Sequence, residues 1–180
     1  MSHLPPTPAA GVDRKAVSIM HLAIDPGNHQ SAYALVDDGY APRSFGKIDN
    51  SDLATQLPGM LAEVTHLSIE QIGHYGTGMP AGREVFDTCR WIGRYEQISE
   101  QSGVPAEMVL RPTIKTHLCG TPRAKDSNVI QALIDRFAPG CPNRGKGYKA
   151  SPGWFYGFRA DIWQSYALAV FTIDKERNIA

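Results

Sequence analysis

Residues 20–28 read Met20-His21-Leu22-Ala23-Ile24-Asp25-Pro26-Gly27-Asn28, an apolar run that ends on a carboxylate with a Pro-Gly turn directly behind it. Leu22 to Ile24 has the character of a buried strand. A carboxylate at the mouth of such a strand needs a partner, because an unpaired buried charge is expensive. A backbone amide of the turn would serve. A cation would serve better, and the rest of the chain bears on the choice.

Working outward, "SAYALV" (31–36) reads as a second strand and 43–48 as a third, joined by the hairpin connection "DDGYAP". "NSDLATQLPGMLAEV" opens on a capping residue, Asn50 or Ser51. It then places Leu53, Leu57, Met60 and Leu61 at helical spacing, with Pro58 expected to bend or break the helix. "HLSIEQI" (66–72) reads as a central strand ending near Glu70, and 83–102 as a long helix. A strand near 107–110, a short helix near 113–118 and a longer one over 127–137 follow. "APGCPNRGKGYKASPGWFYGF" has the composition of an exposed loop, and a last amphipathic helix runs from Ala160 to about Ile173. Three antiparallel-capable strands followed by strands alternating with helices predict an α/β domain. Its sheet is mixed and five-stranded, with helices on both faces, in the order of the ribonuclease H-like fold.

The 180 residues suit one domain, assigned to 20–180, with residues 1–19 as a Pro-containing N-terminal arm or extension. The net charge of zero hides a division. Between Arg111 and Arg159 nine basic residues face two acidic ones, while the remainder holds nine basic and sixteen acidic. Such a split points to a phosphate-rich partner on one face. The three cysteines form no CxxC pair, which argues against a zinc ribbon and a disulfide framework and predicts a reducing, cytoplasmic setting. No apolar run approaches the length of a membrane span.

The chemistry-bearing candidates are Asp25 and Glu70 at strand ends and Asp161 in the first turn of the last helix. If the two strands are neighbours, the carboxylates meet, and like charges that close require a proton or a cation. Mg²⁺ suits an all-oxygen site that leaves coordination positions to water and phosphate, and a pair of such ions clamps both oxygens of an in-line displacement. Each acid also has a simpler reading. Asp25 would cap the turn and Asp161 would cap its helix, but Glu at the end of an apolar strand is harder to explain that way.

"LAIDPG", "LSIEQI", the segment "TIKTHLCGTPRAKDSNVIQAL" with Lys115 and Lys125, and "ADIWQSYALAV", in that order, resemble the RuvC-like Holliday-junction resolvases, especially those of phages and prophages. The resemblance spans Met20 to about Thr172. It implies a ribonuclease H-like fold, a homodimer, and Mg²⁺-dependent cutting of branched DNA such as four-way junctions, with Mn²⁺ able to substitute and two ions per site. On its motifs, Asp25, Glu70 and Asp161 take the metal-ligand roles, and Lys115 and Lys125 serve the scissile phosphate. Gln71 is the polar neighbour of the glutamate, and His74 and Tyr75 fall where the family stacks an aromatic wedge at the junction centre. Arg111, Arg123, Lys146, Lys149 and Arg159 are further DNA-binding candidates, the last three interleaved with Tyr148, Trp154, Phe155 and Tyr156; the alternative is that part of this aromatic cluster is core under a loop. The family commonly carries another acid where this chain has Gln164. Either three carboxylates suffice or Asp126 supplies a fourth.

Other readings keep the fold and change the function: a nuclease acting on forks, flaps or RNA–DNA hybrids, or a non-catalytic branched-DNA-binding module. A sugar-kinase or actin-like ATPase also opens with a strand ending in Asp-x-Gly, but 180 residues cannot hold its two lobes.

Overall fold

The computed structural model describes residues 19–73 and 82–179. Strands β1 (Met20–Asp25), β2 (Gln30–Asp37) and β3 (Pro42–Asp49) form an antiparallel meander, and helix α1 (Asn50–Leu61) follows directly. Strand β4 (His66–Gln71) lies parallel to β1. Helix α2 (Arg83–Gln101) leads to β5 (Ala106–Leu110), parallel to β4. The sheet order is β3-β2-β1-β4-β5, mixed and five-stranded as expected. Helices α3 (Arg111–Cys119) and α4 (Asp126–Phe137), a two-residue hairpin of β6 (Gly147–Tyr148) and β7 (Ser151–Pro152), and helix α5 (Ile162–Glu176) complete the chain. None of the described helices is long and apolar enough to cross a membrane.

Alternation along β1 and β4 divides the core. Leu22, Ile24, Leu67 and Ile69 face one side, where Leu53, Leu57 and Leu61 of α1 and Ile92 and Tyr95 of α2 cover them. Ala23 and Ala34 face the other side, beneath α5. Their small side chains let α5 lie close to the sheet, and Ser68 and Thr172 share a 2.7 Å hydrogen bond across that contact. Helix α5 is buried around nearly its whole circumference because the sheet lies on one side and α3, α4 and the 154–158 segment on the other. A helix so enclosed is apolar all round rather than amphipathic.

One expectation is corrected and one alternative is decided. Helix α1 runs through Pro58 without a break, because Leu53, Leu57 and Leu61 bury one stripe at spacing four and the lost backbone bond falls at the exposed side of the last turns. The aromatic run near residue 155 divides between core and surface. Phe155 and Phe158 are buried against Trp163 and Tyr166, and the Trp154 ring nitrogen donates to the Tyr166 hydroxyl, while Tyr148 and Tyr156 remain exposed.

Near the C-terminal end of α5, Asp174 is fully buried and accepts hydrogen bonds from Tyr40, His117 and both terminal nitrogens of Arg136. Burial alone would raise this carboxyl, but the three donors outweigh it and hold it at about 2. The ion network ties α3, α4 and the β2–β3 turn to α5. A carboxyl depressed from 3.8 to about 2 stabilises the fold above pH 4, and the contribution fades as pH falls toward 2. Asp174→Asn should therefore cost about 2 kcal/mol by urea denaturation at pH 7. The difference from wild type should shrink between pH 4 and pH 2. A difference independent of pH would show that the ionised carboxylate is not what stabilises this junction.

Candidate active site

The two parallel strands at the centre of the sheet put two carboxylates side by side. Ile24 pairs with Ile69, so Asp25 and Glu70 are the next residues along adjacent strands, at their C-terminal ends. Across the antiparallel partners the same row continues through Ala32, opposite Asp25, to Lys47, opposite Ala32. Helix α5 runs antiparallel to β1 above this face and starts over the row, so Asp161, at its N-cap position, enters from above. Asp161 makes no side-chain cap. Its carboxylate pairs instead with the Lys47 ammonium. Ala160, just before it, holds φ at 42°, a left-handed conformation that costs an L-residue roughly 1–2 kcal/mol and sets the angle at which Asp161 arrives.

The turn behind Asp25 is fixed by other groups. Ser31 accepts from the Gly27 amide at 3.3 Å and donates to Asn50 at 2.7 Å, Asn50 donates to the Gly27 carbonyl at 2.9 Å, and the Tyr95 hydroxyl closes the cluster. A Cβ at Gly27 would meet the Gln30 carbonyl oxygen at 2.4 Å, so only glycine fits there. With the turn amide satisfied by Ser31, the Asp25 carboxylate takes a cation as its partner.

That cation is Arg111. It is the first residue of α3, which follows β5 without a loop, and its guanidinium reaches back over the strand ends. Nε donates to Glu70 Oε1 at 2.6 Å, and the terminal nitrogens reach Asp25 Oδ2 at 3.4 Å and Asp126 Oδ2 at 3.3 Å. Lys115, one turn along α3, pairs with Asp126 Oδ1 at 3.0 Å. Four carboxylates and three cations thus interlock at the open ends of the strands. Asp25, Asp161 and Lys47 border a cleft of about 460 Å³ beside the 26–30 turn. A second cleft, also about 460 Å³, lies against Glu70, Arg111 and the start of α2.

The electrostatics are strained. Asp25 and Glu70 are only 11% and 12% exposed. Burial, then the Glu70 charge, pushes the Asp25 carboxyl up to about 8 despite the opposing pull of Arg111. Burial also raises Glu70, against Arg111. The donor set toward the cleft is all oxygen, and burial together with the Glu70 charge drives its Asp25 carboxyl toward the protonated form. The donor types suit a hard divalent cation such as Mg²⁺, with Asp25, Glu70 and Asp161 as the groups that would hold it, although their oxygens do not all lie within 4.8 Å of one another as the site stands.

The other sequence candidates are placed as follows. Gln71 is exposed at the end of β4. Lys125 caps α4 through its backbone, its amide donating to Asn128. Arg123, Lys149 and Arg159 are exposed and Lys146 is half-buried, on the same loops as the basic run. Gln164 is buried one turn into α5. His74 and Tyr75 lie outside the described residues. Lys47 was missed by sequence reasoning, and Arg111 was read only as a DNA contact. The signal for Lys47 was its place in the strand register, which exists only once three strands are paired.

No protein-family model matches the chain, and no curated protein matches it in sequence. Solved structures match it in fold. The Thermus thermophilus RuvC structure is similar with a TM-score of 0.60, and T. thermophilus RuvC in complex with a Holliday junction substrate with 0.62. Both are 11% identical, over 90% of this chain and 98% of that one. The chain has the RuvC fold. In this RuvC-like architecture the central parallel pair and the start of the last helix are what gather Asp25, Glu70 and Asp161.

The raised Asp25 carboxyl has a measurable consequence in metal-free protein. The unfolded chain releases this proton near pH 4 and the folded chain near pH 8, so stability from this group falls as pH rises between them. In chelator at pH 8, Asp25→Asn should be more stable than wild type by up to roughly 5 kcal/mol, and its stability should depend less on pH. Equal stabilities across that range would mean that Asp25 is not strained.

Proposed function

We propose that the protein is a divalent-metal-dependent endonuclease that cuts branched DNA, with the four-way junction as its substrate. The observation that carries this reading is the convergence of Asp25, Glu70 and Asp161 from three elements onto one open end of a RuvC-like sheet, beside three basic side chains. When bound by these carboxylates, two Mg²⁺ ions would supply charge neutralisation at the phosphate and an activated water. Mn²⁺ would serve in their place.

The chain's own groups do the rest. Lys47, Arg111 and Lys115 border the same carboxylates and are the cations positioned to bind the phosphodiester. Exposed Lys125, Arg123, Lys149 and Arg159, half-buried Lys146 and exposed Gln71 are the proposed further contacts to the DNA. His74 and Tyr75 remain the proposed stacking pair at the junction centre. A homodimer fits a substrate with near two-fold symmetry. Helix α2 is the proposed interface, since Ile92 and Tyr95 serve the core while Phe86 is 58% exposed with exposed Cys89 one turn on.

One observation favours a second reading, a non-catalytic junction-binding module: Arg111 already bonds Glu70 and Asp25, where a divalent ion would compete with it. Cleavage of a labelled four-way junction with and without Mg²⁺ separates the two. Cleavage should be abolished in Asp25→Asn, Glu70→Gln and Asp161→Asn, with junction binding retained, since each change removes a charge at nearly constant shape. Wild-type protein that binds the junction and never cuts it would establish the binding module instead.

Asp126 and Gln164 provide a second test. Asp126 faces Arg111 and Lys115 as well as opening α4. If it supplies the charge missing at Gln164, Asp126→Asn should raise the Mg²⁺ concentration for half-maximal cleavage, and adding Gln164→Asp should lower it again. A silent Asp126→Asn would confine that carboxylate to the ion pairs seen here.

A further inference from the structure

The row of side chains beneath α5 continues to the opposite end of the sheet. On β1 the residues facing α5 are His21, Ala23 and Asp25, and on β4 they are His66, Ser68 and Glu70, in register as parallel neighbours. The helix starts over the carboxylates and ends at Glu176 over the two histidines. Four residues of strand separate the two ends, about 13 Å.

His21 is 3% exposed, and its Nδ1 is the one buried side-chain polar atom among the described residues with no hydrogen-bond partner. Buried ring nitrogens are ordinarily paired, so an unpaired one calls for an explanation. It points toward Glu176, whose Oε2 lies 3.7 Å away, too far for a hydrogen bond. The other oxygen of Glu176 is 3.2 Å from His66 Nδ1. A simple ion pair between His66 and Glu176, assisted by the Thr65 hydroxyl at 2.9 Å, explains those two residues and leaves His21 unexplained. Arg177 turns away, to the Asp38 carbonyl and the face of Tyr40.

We propose that His21, His66 and Glu176 bind a transition-metal ion, with Zn²⁺ the best fit, and that the ion pins the end of α5 to the base of the sheet. The donor types are borderline-soft imidazoles with a carboxylate, the set that Zn²⁺ takes with water in its fourth position. One donor atom from each residue lies within 4.8 Å of the others. Metal–ligand bonds of about 2.0–2.2 Å separate neighbouring donors of a tetrahedral site by about 3.3–3.5 Å; Glu176 Oε1 stands 3.2 Å from His66 Nδ1 and Oε2 3.7 Å from His21 Nδ1, so a carboxylate turned to present one oxygen, or both, to the ion serves the two rings. The imidazoles stack at 5.7 Å with 11° between their planes, so one must turn to share an ion. Half-exposed His66 is the ring with room to do so, about a torsion whose minimum is broad, and it would release Thr65. The site is distinct from the carboxylate cluster and takes no part in the proposed cleavage.

The test uses full-length protein carrying Asp25→Asn and Glu70→Gln, which removes the carboxylate cluster as a competing metal site. Titration with Co²⁺ should develop visible d–d absorption at one ion per chain, displaced by Zn²⁺, and Zn²⁺ should raise the thermal midpoint. His66→Ala and Glu176→Gln, both at accessible positions, should each weaken binding by at least roughly tenfold and abolish the rise in midpoint. Absence of stoichiometric binding in the double variant would overturn the proposal, and so would binding that survives both additional substitutions unchanged.

Discussion

Two carboxylates at the ends of adjacent parallel strands, each almost removed from water, cannot both stay ionised without positive charge beside them. The arrangement of the open end of this sheet follows from that constraint. Arg111 meets it in the structure by bonding Glu70 closely and Asp25 more loosely, and it can do so because α3 begins on the residue after β5. Lys47 meets it for Asp161, and Lys115 for Asp126. What remains unbalanced falls on Asp25, whose carboxyl is driven toward the protonated form by burial and by Glu70. A group so strained in a cleft is a candidate for a functional site.

The packing that produces this strain is ordinary. Ala23 and Ala34 leave room for α5 to settle on the sheet, and the closeness of that approach brings Asp161 down to the level of the strand ends. The Asp174 network then anchors the other end of α5 with four charged-group hydrogen bonds, so the helix has little freedom to slide. On the far face, the Ser31–Asn50–Tyr95 cluster holds the Pro26-Gly27 turn without drawing on the Asp25 carboxylate. The scaffold thereby leaves that carboxylate to the site.

The strands and helices were legible in the sequence because each carries its own period. The alternation around Leu22 and Ile24, the apolar run ending at Glu70 and the leucine spacing of 53, 57 and 61 all report local geometry that tertiary packing preserves. The cations were less legible. Lys47 joins the site only through pairing of β1, β2 and β3, and Arg111 only through the crossing from β4 to β5, and neither relation leaves a mark in the neighbouring residues. The 154–158 run misled for a related reason: Pro and Gly around an aromatic cluster mark an exposed loop by composition, yet Phe155 and Phe158 fold under that loop to seal the end of α5.

Asp126 shows how two readings of one residue can both be true. It opens α4 as a first-turn acid, favourable against the helix dipole, and its carboxylate also bridges Arg111 and Lys115. Arg111 in turn divides its guanidinium among Glu70, Asp25 and Asp126, so any charge lost at Asp126 strengthens its hold on the other two. The Asp126 carboxylate thus stands on a different element from Gln164, one ion pair removed from the strand-end carboxylates. Asp126 acts on the strand-end carboxylates through the arginine they share, which makes Arg111 the point where α3, α4 and the central strands are electrostatically coupled.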